Sequence, residues 1–202
     1  MNNTLLTINS SPLSQGSKSR KLVESFSREW LRQNPDGRLI ERDLTTSRLT
    51  HLDEATIGAF FTPEDQRSEE QKQLVTLSDE LVSELLQADT IAIGVPMHNF
   101  SIPSILKSYI DQIARAGKTF SYSEAGPKGL LTGKKAYVLS ATGGDYSKAS
   151  PAHSMNFIDP YLSTVLGFIG ITDVHFVSAI NAAKGEEGLI TAQNSLKETI
   201  AA

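Results

Sequence analysis

The stretch TIAIGVPMHNFSIP, residues 90–103, decides the fold class of this chain. Its first six residues are almost continuously apolar, as in a strand that is buried on both faces of a parallel sheet. Pro96 ends that strand, because proline has no N–H group to donate to a neighbouring strand. Residues 102–114 then repeat apolar side chains three and four positions apart, which is the spacing of an amphipathic helix. The stretch therefore predicts a strand, a loop and a helix in succession.

The same alternation extends in both directions from this stretch. Apolar or alternating runs predict four further strands, at residues 4–9, 38–44, 135–141 and 174–180. Helical spacing predicts further helices, one starting at Ser17 and the others spanning residues 68–87, 160–171 and 189–200. Strands that alternate with long helices form a parallel sheet through right-handed crossovers. We therefore predict an α/β fold with a doubly wound, five-stranded parallel sheet in the flavodoxin-like order 2-1-3-4-5 and helices on both faces.

Length and composition restrict the classes of function. At 202 residues the chain is expected to form a single domain over residues 1–202, because separate cores appear only beyond roughly 250 residues. The net charge of −4 comes without a basic stripe, which argues against nucleic acid and against an anionic membrane surface as partners. No apolar run approaches the roughly 20 residues that span a bilayer, and no signal sequence is evident at the start. We therefore expect a cytoplasmic protein.

The sequence contains no cysteine, which excludes disulfides, zinc–thiolate sites and thiol catalysis. Its four histidines are scattered and lack metal-ligand spacing, so we expect no metal site. His51, His153 and His175 are expected to be surface or structural residues. Any redox chemistry would therefore be carried by a bound cofactor.

Ligands of an open parallel sheet bind beyond the carboxyl ends of the strands, where the strand order reverses. The first such end, residues 10–19 (SSPLSQGSKS), leads into the N-terminus of the first helix. Free N–H groups and the helix dipole favour a phosphate there, and the serine hydroxyls would add donors. An ordinary helix cap with spare serines is the alternative interpretation.

The second strand end carries residues suited to a flat ring. Met97 and Phe100 offer apolar faces, and Asn99 has an amide that can read a ring edge. The alternative is a plain turn in which the methionine and phenylalanine only fill the core.

The third strand end, residues 140–146 (SATGGDY), contains Gly143 and Gly144. Paired glycines let the backbone approach a ligand closely, although a flexible surface turn is the alternative. Because the three segments follow three strands of one sheet, we expect them to form a single site.

Several longer motifs identify a family. The motifs are the SS loop start at residues 10–11, PMHNF at 96–100, ARAGKTFSY at 114–122, GPKGLLTGKKA at 126–136, the S-x-x-GG turn at 140–144 and PYLSTVLGFIGITDV at 160–174. In these motifs the chain closely resembles, essentially from end to end, the FMN-dependent NADH-azoreductases, which also act as quinone reductases, within the flavodoxin-like superfamily. The resemblance implies an enzyme that holds FMN non-covalently, with NADH or NADPH as electron donor.

The resemblance also implies roles for individual residues around the cofactor. The FMN phosphate would be held by Ser11, Ser17, Lys18 and Ser19, with Ser10 as an alternative to Ser11. The isoalloxazine would lie along Met97, His98, Asn99 and Phe100, and its pyrimidine side along Ala141, Thr142, Gly143 and Gly144. No residue is a certain catalytic acid, and His98 is a candidate proton donor.

The implied reaction is a two-electron transfer from NAD(P)H to quinones and to azo compounds, with reductive cleavage of the azo bond, by a ping-pong mechanism. The implied assembly is a homodimer with active sites at the interface, where aromatic residues form the substrate pocket. The candidates are Phe60, Phe61, Phe120, Tyr122 and Phe157. Phe120 and Tyr122 could instead be core residues at strand-like spacing. Several of these aromatics lie in two long connections, residues 45–67 and 117–133, which we expect to be lids or binding loops.

One position departs from the family pattern. Many relatives have an arginine where this chain has Thr142. The pocket is therefore expected to lack a cation and to bind anionic acceptors poorly. An electron-carrier flavodoxin is a rival interpretation. Such carriers are typically strongly acidic, whereas this chain is only mildly acidic. A flavin-binding sensor with weak turnover is a further rival.

Overall fold

The computed structural model describes residues 3–124 and 126–201. Its strands are β1 Thr4–Asn9, β2 Arg38–Asp43, β3 Thr90–Pro96, β4 Phe120–Ser123, β5 Gly126–Gly129, β6 Lys135–Ala141 and β7 Asp173–Ala179. Five of them form one parallel sheet in the order β2-β1-β3-β6-β7, and β4 and β5 form a separate antiparallel hairpin. Counted among themselves, the sheet strands have the order 2-1-3-4-5, so the predicted fold class is confirmed.

Six α-helices lie within the described residues and cover both faces of the sheet. They are α1 Lys18–Gln33, α2 Glu54–Phe61, α3 Glu69–Gln87, α4 Ser104–Ile113, α5 Ile158–Phe168 and α6 Glu187–Ala201. One core lies between the sheet and α3, α4 and α5, and the other between the sheet and α1 and α6. Alternate residues of β1 supply the two cores, since Leu6 and Ile8 belong to the first and Leu5 to the second.

The predicted helix boundaries are close to the observed ones, and α5 shows why they shift. The sequence predicts this helix over residues 160–171, whereas it ends at Phe168. Gly170 then has a φ of +103°, which is outside the helical range and favours glycine. At this point the backbone packs directly on the hairpin, because a Cβ on Gly129 would lie only 2.1 Å from the Gly170 nitrogen.

The two long connections are more regular than the sequence predicts. Residues 45–67 contain α2, whose first turn is capped by Asp53 through a 2.8 Å hydrogen bond from the Thr56 N–H. Residues 117–133 contain the β4–β5 hairpin. α2 has eight residues and each hairpin strand has four, so neither element repeats its periodicity often enough to be recognised in the sequence.

Candidate functional site

The three segments singled out in the sequence meet at the carboxyl edge of the sheet, where the strand order reverses between β1 and β3. The Ser10 hydroxyl donates a 2.6 Å hydrogen bond to the Gly94 carbonyl oxygen and so ties the segment after β1 to β3. The Met97 N–H donates a 2.8 Å hydrogen bond to the Ala141 carbonyl oxygen and ties the segment after β3 to β6. The fold therefore brings the three predicted segments into one site.

The segment after β1, residues 10–19, is called the serine loop. Ser11, Ser17 and Ser19 are buried in it, and the hydroxyl oxygens of Ser17 and Ser19 are 3.2 Å apart. Ser17 caps α1 by accepting a 3.3 Å hydrogen bond from the Arg20 N–H. In the described part of the chain, the N–H groups of Ser17, Lys18 and Ser19 donate to no acceptor. Free N–H groups and hydroxyls at a helix N-terminus form an anion site.

The Lys18 side chain does not turn into the serine loop. Its ammonium donates hydrogen bonds to the carbonyl oxygens of Ala182, at 2.6 Å, and Gly185. It also lies 3.5 Å from the Glu186 carboxylate. Lys18 therefore fixes the connection between β7 and α6, and its backbone N–H is the group it presents at the anion site.

The segment after β3 forms a tight turn from His98 to Ser101. The two residues exchange backbone hydrogen bonds of 2.9 and 3.0 Å. The central residues Asn99 and Phe100 both have positive φ, +47° and +71°, as in a type I′ turn. Such backbone conformations are strained in residues other than glycine and are concentrated at functional sites. Within residues 3–124 and 126–201, the N–H groups of Asn99 and Phe100 donate to no acceptor, so the turn presents two free donors.

The segment after β6, residues 141–146, is called the glycine turn. Gly143 is exposed, and a Cβ at this position would meet nothing within 4 Å. The N–H groups of Gly143 and Gly144 have no acceptor in the described residues. The glycine turn therefore offers open space and two free donors to a ligand.

The Thr142 side chain is buried, although the next residue in the chain, Gly143, is exposed. The Thr142 side chain is 2 % exposed, and its hydroxyl donates a 2.8 Å hydrogen bond to the Gly144 carbonyl oxygen. Its N–H donates to Ala179 and its carbonyl oxygen accepts from Ala182. All of its polar groups are thus used within the protein, and its side chain faces the inside of the glycine turn.

Three aromatic residues follow or border these turns, and two of their rings are in contact. The rings of Phe100 and Tyr146 meet edge to face, with centroids 6.2 Å apart. The Phe157 N–H donates a 3.0 Å hydrogen bond to the Phe100 carbonyl oxygen, and its ring is exposed. Tyr146 also borders Gly144, since a Cβ there would be 3.4 Å from its ring. Sequence reasoning did not single out Tyr146, because its direction depends on how the glycine turn folds back.

The other four predicted pocket aromatics lie elsewhere in the chain. The Phe60 ring packs 3.8 Å from the buried Arg115 guanidinium, and burial lowers the pKa of that guanidinium. Phe120 is buried against Phe168, and Tyr122 is 73 % exposed on the hairpin. Phe61, at the end of α2, is 75 % exposed. In the described part of the chain, their ring contacts and hydrogen bonds do not join them to the three turns.

Each of the three remaining histidines has a partner within the chain. His51 Nδ1 is 3.3 Å from the Ser108 hydroxyl, and His153 Nδ1 is 3.2 Å from the Tyr146 carbonyl oxygen. His175 stacks on Tyr137. Over residues 3–124 and 126–201, no three acidic or histidine side chains are grouped as metal ligands would be, and no helix is both long and apolar enough to traverse a bilayer.

The comparisons with known proteins agree with the observed fold. The flavodoxin-like fold family matches residues 3–200. A protein of Acidobacterium capsulatum named FMN-dependent NADH:quinone oxidoreductase is 53% identical over 176 residues, which cover 87% of this chain and 85% of that protein. The protein of the same name from Herminiimonas arsenicoxydans is 50% identical over 196 residues, which cover 97% and 96% of the two chains. The chain belongs to this oxidoreductase family.

A solved structure extends the likeness to three dimensions. The FMN-dependent NADH-azoreductase of Bacillus anthracis, crystallised in complex with FMN, is 28% identical to this oxidoreductase, covers 98% of each chain and has a TM-score of 0.89. The family resemblance expected from the sequence is therefore confirmed.

The structure of this oxidoreductase also reveals a side chain that sequence reasoning missed. Arg20, in the first turn of α1, forms an ion pair with Asp43 at the end of β2 and contacts the serine loop. An arginine and an aspartate 23 residues apart give no local signal. Their contact follows from the pairing of β1 with β2, which sets Asp43 opposite Asn9.

Proposed function

We propose that this oxidoreductase binds FMN non-covalently and transfers two electrons from NADH or NADPH to quinones and azo compounds. The observation that carries the proposal is that three loops at one sheet edge present free N–H groups together with an anion site. A phosphate and a flat polar ring, joined by a short chain, match this combination. The names of the similar proteins, FMN-dependent NADH:quinone oxidoreductase and FMN-dependent NADH-azoreductase, support the same ligand.

The serine loop fits the phosphate of FMN. Ser11, Ser17 and Ser19 would donate hydroxyl hydrogen bonds, and the backbone of Lys18 would add an N–H group. A negative charge at a helix N-terminus is stabilised by about 0.3 to 2 kcal/mol, depending on burial. Ser10 is the weaker alternative to Ser11, because its hydroxyl is already bonded to Gly94.

The other two loops fit the ring. The side chains of Met97, His98, Asn99 and Phe100 would lie along it, while the free N–H groups of Asn99 and Phe100 would donate to its edge. The N–H groups of Gly143 and Gly144 would donate to the pyrimidine side, close to Ala141. Thr142 would act by holding the glycine turn rather than by touching the ring, because its own groups are satisfied within the protein.

When bound, FMN supplies the redox chemistry, by accepting a hydride from the nicotinamide and passing two electrons to the acceptor. The residues around it orient the two substrates in turn and exclude water. One open face cannot hold both substrates at once, so we propose a ping-pong mechanism. The exposed His98 is the candidate proton donor to the reduced acceptor.

We also propose a homodimer whose interface completes the substrate pocket. Phe61 and Tyr122 are large, exposed aromatic residues, which a stable interface would cover. Phe157 lies beside the site of its own chain, whereas the ring contacts and hydrogen bonds of the described residues do not join Phe60, Phe61, Phe120 and Tyr122 to that site. We therefore propose that the exposed Phe61 and Tyr122 reach the pocket of the other subunit, whereas Phe120, buried against Phe168, and Phe60, packed on Arg115, would support that pocket from within their own chain. The cytoplasmic location stays a prediction.

Two measurements test the proposal. The protein should purify yellow, and heat release followed by chromatography should give about one FMN per subunit. Finding FAD, or no flavin even after reconstitution, would overturn the cofactor. Steady-state oxidation of NADH and NADPH should then be measured with and without a panel of quinones and azo dyes. Little acceptor-dependent turnover would indicate an electron carrier or a sensor instead.

A further inference from the structure

The Arg20 guanidinium joins three elements at the carboxyl edge of the sheet. Its two terminal nitrogens bind both carboxylate oxygens of Asp43, at 2.7 and 3.0 Å. One of them also donates a 2.8 Å hydrogen bond to the carbonyl oxygen of Ser11. Asp43 is in turn held by Thr45, whose N–H and hydroxyl both donate to it. The planar fork of arginine suits this arrangement, and a lysine ammonium cannot reproduce it.

Arg20 contacts both ends of the serine loop. Its side chain holds the carbonyl of Ser11, where the loop leaves β1, and its backbone N–H is bonded to the Ser17 hydroxyl, where α1 starts. The residues between them, 12–16, are all exposed. Arg20 therefore links Ser11 directly to the start of α1, across a segment that is otherwise open to solvent.

The pair is poorly explained by stability or by charge alone. Desolvation offsets most of the attraction within a partly buried ion pair, and the Arg20 Nε is buried without a hydrogen-bond partner among the described residues. Asp43 also neutralises the arginine, so the pair adds little net attraction for an anion. The remaining role for the Arg20–Asp43 pair is to hold the Ser11 carbonyl in a fixed position.

We propose that Arg20 and Asp43 are positioning residues that set the serine loop for a phosphate monoester. The inference rests on the proposed FMN function and deepens it. It means that the pair determines how strongly the protein prefers FMN to riboflavin, which has the same ring but no phosphate.

The test compares the dissociation constants of FMN and riboflavin for the flavin-free full-length chain, measured by quenching of flavin fluorescence. Arg20→Met and Arg20→Lys should each weaken FMN at least tenfold, about 1.4 kcal/mol, and change riboflavin less than twofold. Asp43→Asn should also weaken FMN, because the guanidinium loses the partner that orients it. If Arg20 instead acted as a charge on the phosphate, Arg20→Lys would keep the affinity and Asp43→Asn would raise it. Either of these results overturns the proposal.

Arg42 provides the matched control. Its side chain is 15% exposed, as is that of Arg20, and it forms a similar ion pair, but with Glu80 and Glu84 on α3. Arg42→Met should cost stability while leaving the ratio of FMN to riboflavin affinity unchanged. If Arg20→Met fails to fold, Arg20→Lys and Asp43→Asn carry the test. If the wild type does not bind FMN, the proposed function is contradicted. If the wild type prefers FMN and the Arg20 and Asp43 variants keep the same ratio of FMN to riboflavin affinity, only this inference is contradicted.

Discussion

The Thr142 hydroxyl donates a 2.8 Å hydrogen bond to the carbonyl oxygen of Gly144, two residues later in the same turn. Gly144 O also accepts from the Asn181 N–H, so the glycine turn is fixed from two sides. This bond changes how the departure from the family pattern is understood. Thr142, where the family resemblance leads us to expect an arginine, contributes to the shape of the turn, and we expect any effect on substrates to pass through that shape.

Thr142→Val should destabilise the protein and weaken flavin binding. The substitution keeps the volume and removes the hydroxyl donor to Gly144, which is worth about 0.5 to 1.5 kcal/mol. Urea unfolding of the flavin-free protein and titration with FMN measure the two effects. Thr142→Ser, which keeps the hydroxyl, is the control and should stay close to wild type. Equal stability of the valine and serine variants would show that the hydrogen bond is unimportant.

Thr142→Arg should do more than add a charge to the pocket. A guanidinium does not fit a position that is 2 % exposed, so the turn must open to release it, at a cost of about 1 to 3 kcal/mol. We expect lower stability and weaker FMN binding, together with a gain for sulfonated or carboxylated azo dyes relative to neutral quinones. Relative kcat/KM for the two substrate classes, at two salt concentrations, measures the gain. If stability and FMN affinity are unchanged in Thr142→Arg, the longer side chain reaches solvent without opening the glycine turn.

Gly144→Val should weaken FMN binding at least tenfold while the fold survives. Its Cβ would lie 3.4 Å from the Tyr146 ring, and its branches would occupy the side on which the cofactor is expected. Gly143→Ala is the stability control, because its Cβ meets no atom within 4 Å and should not change the free energy of unfolding of the flavin-free protein. Circular dichroism and FMN titration give the readouts. Wild-type affinity in Gly144→Val would place the ring away from this turn.

The stability that Asp43 contributes should depend on pH in one direction. The Arg20 hydrogen bonds hold the pKa of the Asp43 carboxyl below its ordinary value. The contribution is therefore fully present above the unfolded pKa of about 3.9 and is lost as the pH falls through the lower folded pKa. The difference in free energy of unfolding between wild type and Asp43→Asn should be constant between about pH 5 and about pH 8. It should shrink below about pH 4. A difference that persists in acid would exclude the ion pair as its source.

Phe61→Asp should convert the proposed dimer into monomers and reduce acceptor-dependent NADH oxidation. The side chain is 75 % exposed in a single chain, so the substitution should not unfold the monomer. Ile190→Asp, on α6, removes another exposed apolar side chain and should leave the dimer intact. Light scattering after size-exclusion chromatography distinguishes the two. A wild type that is already monomeric would contradict the proposed assembly.

Initial rates at several NADH and quinone concentrations should give parallel double-reciprocal plots. Parallel lines are expected because the nicotinamide product leaves before the acceptor enters the same face. Intersecting lines would indicate a ternary complex and a pocket large enough for both substrates.

The sequence by itself determined the sheet and the place of the site. Apolar runs such as residues 90–95 and 135–141 indicate strands buried on both faces, and their alternation with helices allows few topologies. Because the carboxyl ends of parallel strands share one edge, the loops after β1, β3 and β6 had to meet.

Only the tertiary structure decided which way the side chains in those loops point. Lys18 turns away from the serine loop to carbonyl groups that follow it by more than 160 positions, and Arg20 finds Asp43 through the register of two strands. Thr142 turns inward and Tyr146 packs beside Gly144, although both follow β6 in the same short segment. Backbone periodicity records where a strand ends, whereas the direction of a loop side chain depends on partners that only the folded chain brings within hydrogen-bonding distance.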